Sequence, residues 1–161
     1  MRQTCLCFPI TEKEILLGLK KRGFAAGRWN GFGGKILLEE TPEDAVVREL
    51  EEECGLLVSV DTLEPVARLH FYFNGKPEID MHTFFVRQWS GTLAETEEML
   101  PRWHVKESLP YERMWSDDIH WLPRALQGEK LGMRFFFRIS GEPGVAPEEI
   151  EKIEEDPGLL Q

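Results

Sequence analysis

At 161 residues, with 42% apolar and 30% charged side chains, the chain is sized for one domain with its own core. No apolar run approaches the ~20 residues of a membrane helix, and the N-terminus MRQTCLCFPITEKE lacks the long apolar stretch of a signal peptide; a cytoplasmic protein without membrane contact is the expectation. The formal charge of −10 argues against stable nucleic-acid binding, and an anionic substrate would need a local cation to offset repulsion.

TCLCFPI and EILLGLKK read as two strands joined by a polar turn at Thr11 to Lys13. Cys5 and Cys7 alternate on the first strand and share a face. With Cys54 they make an odd set without a CxxC spacing, which reads as small core residues rather than disulfides or a zinc site. The irregular, glycine-rich RGFAAGRWNGFGG follows. A helix is expected from Pro42 to Cys54, with Thr41 as N-cap, Pro42 at the first helical position and Gly55 just past the end. EPVARLHFYF and IDMHTFFVRQW read as strands flanking the turn NGKP. A second helix is expected over Asp117 to Gln127, kinked or broken by Pro123. MRFFFRI reads as a late strand, and APEEIEKIEE as a short solvent-facing helix or a frayed tail. From Glu142 on, seven acids (Glu142, Glu148, Glu149, Glu151, Glu154, Glu155, Asp156) stand against one base, Lys152. The expected organisation is α/β, a sheet covered on both faces, with a domain over 1–141 and an acidic tail over 142–161, partly helical or disordered.

The first helix carries a conflict. Glu49, Glu51, Glu52 and Glu53 crowd its last turns, where like charges repel and acids oppose the macrodipole. On a wheel of ~100° per residue, Glu52 and Glu53 fall within about 60° on either side of Glu49. Val46, Leu50 and Cys54 make the adjoining apolar stripe, and Glu51 points away to solvent. Three carboxylates converging at the edge of a core would have raised pKa values unless a cation pairs them, and Mg²⁺ takes such oxygen ligands together with substrate phosphates. From the helix alone, a solvated acidic face explains the same pattern.

The wider spacing decides between them. Gly34, five residues, Glu40, seven residues, Arg48-Glu49-Leu50, one residue, Glu52-Glu53, one residue, Gly55-Leu56 resembles the full signature of the Nudix hydrolases. The resemblance implies a mixed β-sheet between helices (α/β/α), with a loop–helix–loop that holds Mg²⁺ or Mn²⁺. It also implies hydrolysis of a nucleoside diphosphate linked to another moiety. Carried over, Glu49, Glu52 and Glu53 are metal ligands, one of which helps to activate water. Arg48 orients a catalytic glutamate, Glu40 supports the loop, and Gly33 offers a backbone carbonyl to the metal. Glu39 departs from the pattern, since many relatives have glycine there. No P-loop, GxSxG or HExxH competes, and His70, His82, His104 and His120 are scattered.

Within the family, KKRGFAAGRWNGFGGK (Lys20 to Lys35), GKPEIDMHTFF and MWSDDIHW (Met114 to Trp121) are similar to the branch that hydrolyses oxidised purine nucleoside triphosphates such as 8-oxo-dGTP and 2-hydroxy-dATP to the monophosphate and pyrophosphate. On that resemblance, Asn30, Asp117 and Asp118 bond the base. Phe71, Phe73, Met81 and Trp115 wall it, with Phe24 nearby. Thr4 and Lys20 contact the nucleotide, and Glu98 reaches the metal site from another loop. Two adjacent acids at a purine edge need not both be ionised, so one can donate where the other accepts. Without the resemblance, Asp117 and Asp118 would equally be helix caps. Trp121 reads as core. Phe71 and Phe73 share one strand face, so both line a pocket or neither does. A monomer that sanitises the nucleotide pool is implied, acting on cytoplasmic and, in a eukaryote, nuclear or mitochondrial pools. The alternatives are a generalist diphosphatase for ordinary nucleotides, dinucleoside polyphosphates or capped RNA, and a non-catalytic nucleotide-binding module, which would be expected to lose box acids.

Overall fold

The turn at Thr11 to Lys13 separates β1 (Arg2–Pro9) from β2 (Glu14–Lys20), and the two strands enter different sheets in the computed structural model, which describes residues 1–161. β3 (Trp29–Asn30) and β4 (Phe32–Lys35) form from the second half of the glycine-rich segment and are divided the same way. After the helix α1 (Pro42–Cys54) come β5 (Leu56–Leu57), β6 (Glu64–Phe73), β7 (Lys76–Val86), β8 (Ser90–Gly91) and β9 (Met99–Val105). The helix α2 (Asp118–Leu126), β10 (Leu131–Ile139) and β11 (Glu148–Glu155) complete the chain. The main sheet has the order β11-β10-β6-β7-β1-β4, and a smaller one the order β3-β2-β9. The main sheet is mixed, because β1 runs parallel to β7 and β10 parallel to β6 while the other pairs are antiparallel.

Strand alternation sorts the core into two layers. Cys5, Cys7 and Phe84 join Val46, Leu50 and Cys54 of α1 in one apolar cluster, so all three cysteines are buried core residues. Leu6, Phe8, Leu69 and Phe135 join Trp121 and Leu122 of α2 in the other. The sheet is therefore covered on both faces.

α1 forms where the sequence marks it. The Asp44 N–H donates to Thr41 Oγ1 at 3.0 Å and the Thr41 N–H to Asp44 Oδ2 at 3.2 Å, a reciprocal cap. Pro42 opens the helix and Gly55 ends it in the left-handed region at φ 80°. Glu39, in the loop before α1, also sits in that region at φ 69°, a conformation that costs a side-chain-bearing residue about 1–2 kcal/mol. Glu39→Gly should release that strain at the expense of a looser unfolded chain, for a net gain of about 0.5–1 kcal/mol. Thermal unfolding should then shift upward by about 1–4 °C. A lower midpoint would show that Glu39 is not strained.

Two expectations need correction. Of the kink or break expected at Pro123, the break does not occur, because Trp121 and Leu122 are fully buried beside it. Pro123 itself lies half-buried, and Ile119, the residue whose carbonyl loses its bond, is exposed. Nor is APEEIEKIEE a helix or a frayed tail, since Glu148–Glu155 forms the edge strand β11. Its acids, and Asp156 just beyond it, pair across the sheet or from α2: Arg138 with Glu149 and Glu151, Arg134 with Glu154 and Asp156, Arg124 with Glu155. Ile150 packs on the core. A strand partner 9 to 22 residues earlier overrides the helix propensity of a Glu/Lys-rich segment.

Candidate active site

On the α2 side of the main sheet, a cleft of about 280 Å³ is bounded by strands, two loops and the start of α2. Phe71 and Phe73 of β6 line it together, as residues two apart on one strand must. Thr4 of β1 and Met81 of β7, register partners across parallel strands, line it beside them. Lys20, Phe24 and Asn30 reach it from β2, the glycine-rich segment and β3, and Trp115, Asp117 and Asp118 from the segment leading into α2. Every residue expected to contact the nucleotide is thus at one cleft. Gly33 and Glu53 also line it, so the cleft and the carboxylate-bearing side of α1 share a wall.

Asp117 and Asp118 are each 3% exposed. The Trp121 indole N–H donates to Asp117 Oδ2 at 3.0 Å and to Asp118 Oδ1 at 3.2 Å, which explains a tryptophan three and four residues on. Asp118 Oδ2 is buried without a partner. Asp117 makes no side-chain capping bond, so the helix-cap explanation fails. Burial pushes both carboxyls upward, and the neighbouring charge of Asp117 pushes Asp118 further. Two adjacent buried carboxyls that do not both ionise offer a donor and an acceptor side by side.

Along α1, Glu53 is 6% exposed and accepts the Gly33 N–H at 2.8 Å. Burial, then the charges of Glu49 and Glu98, push its carboxyl up to about 8 against that hydrogen bond and Lys20. Glu49 is half-buried; burial raises its pKa while Arg48, donating at 2.8 Å, opposes the rise. Glu51 is exposed, as the wheel places it. The expected convergence of Glu49, Glu52 and Glu53 is not present in this arrangement, and no three acids meet at one point. Glu49 is turned onto Arg48, and the Glu52 side chain is 59% exposed to solvent. The Glu98 side chain is 54% exposed, 4.0 Å from Arg22, and outside the cleft wall, yet close enough for its charge to raise both Glu49 and Glu53.

Arg48 holds this region together. Its Nε and Nη2 donate to Glu40 at 2.7 and 2.9 Å, and Nη2 also to the Lys35 carbonyl at 3.1 Å. Hydrogen bonds from Arg48 hold the Glu40 carboxyl at about 2. A carboxyl depressed in the folded state stabilises above its unfolded value and loses that contribution as pH falls toward the folded one. Arg48→Ala should cost about 2 kcal/mol at neutral pH, or about 4–8 °C of melting temperature, with the difference from wild type shrinking below about pH 4. A variant melting within about 1 °C of wild type at pH 7 would contradict this.

Arg28 and Glu148 also belong to the cleft region and escaped sequence reasoning. Arg28 lines the cleft two residues before Asn30, inside a segment already singled out, so its position was a usable signal. Glu148 reaches it from 120 residues away, and no local pattern marks it.

A capped helix carrying this glutamate array beside a nucleotide-sized cleft, on a mixed sheet between two helices, defines a family. The Nudix domain matches residues 1–125, and the chain belongs to the Nudix family. It is 47% identical over 134 residues to the oxidized purine nucleoside triphosphate hydrolase of Mus musculus, covering 83% of this chain and 85% of that one. To the protein of the same name from Danio rerio it is 43% identical over 152 residues, 93% and 94% of the two chains. Among solved structures, a MutT protein of Bacillus halodurans aligns with a TM-score of 0.74 over 98% of this chain and 99% of that one, at 21% identity, a likeness of fold alone.

Proposed function

We propose that this chain hydrolyses oxidised purine nucleoside triphosphates, such as 8-oxo-dGTP and 2-hydroxy-dATP, to the monophosphate and pyrophosphate, and so removes damaged precursors from the nucleotide pool. The observation that carries the reading is the buried Asp117–Asp118 pair, with one unpartnered oxygen, in an aromatic-walled cleft that also contacts Glu53. Asn30, Asp117 and Asp118 bond the purine edge, and Phe71, Phe73, Met81 and Trp115 close on its faces, with Phe24 beside Trp115. Lys20 and Thr4 meet the sugar and phosphates. A neutral acid next to an ionised one can exchange donor and acceptor roles, which suits two oxidised bases with different edges. We take the acting form to be a monomer.

Nudix hydrolases work with a divalent cation, and the residues here fit Mg²⁺, or Mn²⁺ in its place. Glu49, Glu52, Glu53, Glu98 and the Gly33 carbonyl are hard oxygen donors. At Gly34 a Cβ would stand 2.7 Å from Glu49 Oε1, so glycine keeps the space that carboxylate occupies. When bound, the cation neutralises charge on the triphosphate and makes a water nucleophilic. Arg48 sets the direction of Glu49 through its 2.8 Å hydrogen bond, and the Gly33 N–H does the same for Glu53. One of Glu49, Glu52 and Glu53 takes the proton of the attacking water.

The test is a substrate panel with product analysis in Mg²⁺, covering 8-oxo-dGTP, 2-hydroxy-dATP, normal dNTPs, ADP-ribose and a dinucleoside polyphosphate. Preferential turnover of the oxidised purines with pyrophosphate release is expected. Cleavage of dGTP or dATP as fast as 8-oxo-dGTP would replace the reading with a generalist diphosphatase, and tight binding without turnover would make it a binding module.

A further inference from the structure

Arg28 lies with its guanidinium carbon 4.3 Å from the centroid of the Trp115 ring, and both line the cleft. Its two terminal nitrogens are taken by Glu148, Nη1 donating to Oε1 at 2.7 Å and Nη2 to Oε2 at 2.8 Å. The Glu148 side chain is 7% exposed, and the Ser116 hydroxyl lies 3.4 Å from the same Oε1. Phe24 stacks on the same indole, 5.5 Å between centroids. Two parallel N–H bonds to one carboxylate fix the plane of a guanidinium as well as its position. Its carbon lies over an aromatic face, where a cation is attracted. The head of β11 thus braces one wall of a cleft whose other parts come from residues 2–137.

Arg28 is also a cation beside two buried acids. Its charge favours ionisation of Asp118, while that of Glu148 opposes ionisation of Asp117. Released from Glu148, the guanidinium would be drawn to those carboxylates, because unpaired buried charges seek partners. We propose that Glu148 is a positioning residue for base selectivity: by accepting one N–H from each terminal nitrogen of Arg28 it keeps the guanidinium over Trp115 and away from Asp117 and Asp118, leaving those acids for the purine edge. This rests on the nucleotide reading above.

Steady-state kinetics on wild type, Glu148→Gln, Glu148→Asp, Arg28→Met and the Glu148→Gln/Arg28→Met double variant test it. Glu148→Gln should raise KM for 8-oxo-dGTP about tenfold with kcat within about twofold, and narrow the preference over dGTP. Glu148→Asp should recover part of the loss. The double variant should behave like Arg28→Met, since Glu148 acts through Arg28. Unchanged KM in Glu148→Gln, equal losses on both nucleotides, or additive effects in the double variant would overturn the proposal. Failure of the nucleotide reading is separable, because the wild-type enzyme would then show no preference for 8-oxo-dGTP. In that case the emission of Trp115, taken as the difference from Trp115→Phe, decides without substrate. Glu148→Gln should shift it, and an unchanged spectrum would sink the proposal.

Discussion

Glu53→Gln is expected to lower kcat by about 10³-fold, with the protein still folded. The amide keeps the volume of the side chain, and its oxygen can still accept the Gly33 N–H now bonded at 2.8 Å. What disappears is the negative charge. In the metal-free protein that charge is a burden, because it is buried next to Glu49. The variant should therefore unfold at no lower temperature than wild type when metal is absent, and gain less from added Mg²⁺. Pyrophosphate release and thermal unfolding with and without Mg²⁺ check both halves. Turnover within about tenfold of wild type would remove Glu53 from the metal site.

Asp118→Ala should reduce kcat/KM for oxidised purine triphosphates by about 10³-fold while improving stability at alkaline pH. A site built to hydrogen-bond a base loses discrimination steeply when a buried partner is deleted, and Asp118 Oδ2 is the buried oxygen left open. Trp121 keeps its 3.0 Å bond to Asp117, so the indole is not orphaned. The stability half has a definite sign. The carboxyl of Asp118 is raised in the folded state, so the folded protein binds more protons than the unfolded chain above about pH 4, and stability falls as pH climbs toward the raised value. Removing the group removes that loss. The drop in melting temperature from pH 5 to pH 8 should be smaller in the variant than in wild type. Equal drops would mean that Asp118 does not carry the raised pKa, and unchanged selectivity would take it out of base recognition.

Residues within one helical turn of each other carried most of the legible information. The caps at Thr41 and Gly55, the separation of Glu51 from its neighbours and the burial of Val46, Leu50 and Cys54 all follow from helical spacing. The pattern that marks the family runs further, from Gly34 to Leu56, and was legible only as a resemblance. Phe71 and Phe73 were tied together by strand period, and they do share the cleft wall. Local rules suffice there because the interactions are between near neighbours.

The tertiary structure decided what distance in sequence conceals. β11 is a strand because β10 offers a hydrogen-bonding edge and arginines opposite its acids, whereas propensity alone makes that segment helical. Pro123 stays within α2 because burial on either side of it outweighs one lost hydrogen bond. Glu49, Glu52 and Glu53 share a side of the helix by periodicity, but where their carboxylates point is set by Arg48, Gly33 and solvent. Arg28 meets Glu148 only because the chain returns to the cleft after 120 residues. By itself, the sequence determined which side chains could do chemistry. Long-range packing decided which of them meet and what charge each carries, since burial and neighbouring charges, the causes of both, exist only once the chain has folded.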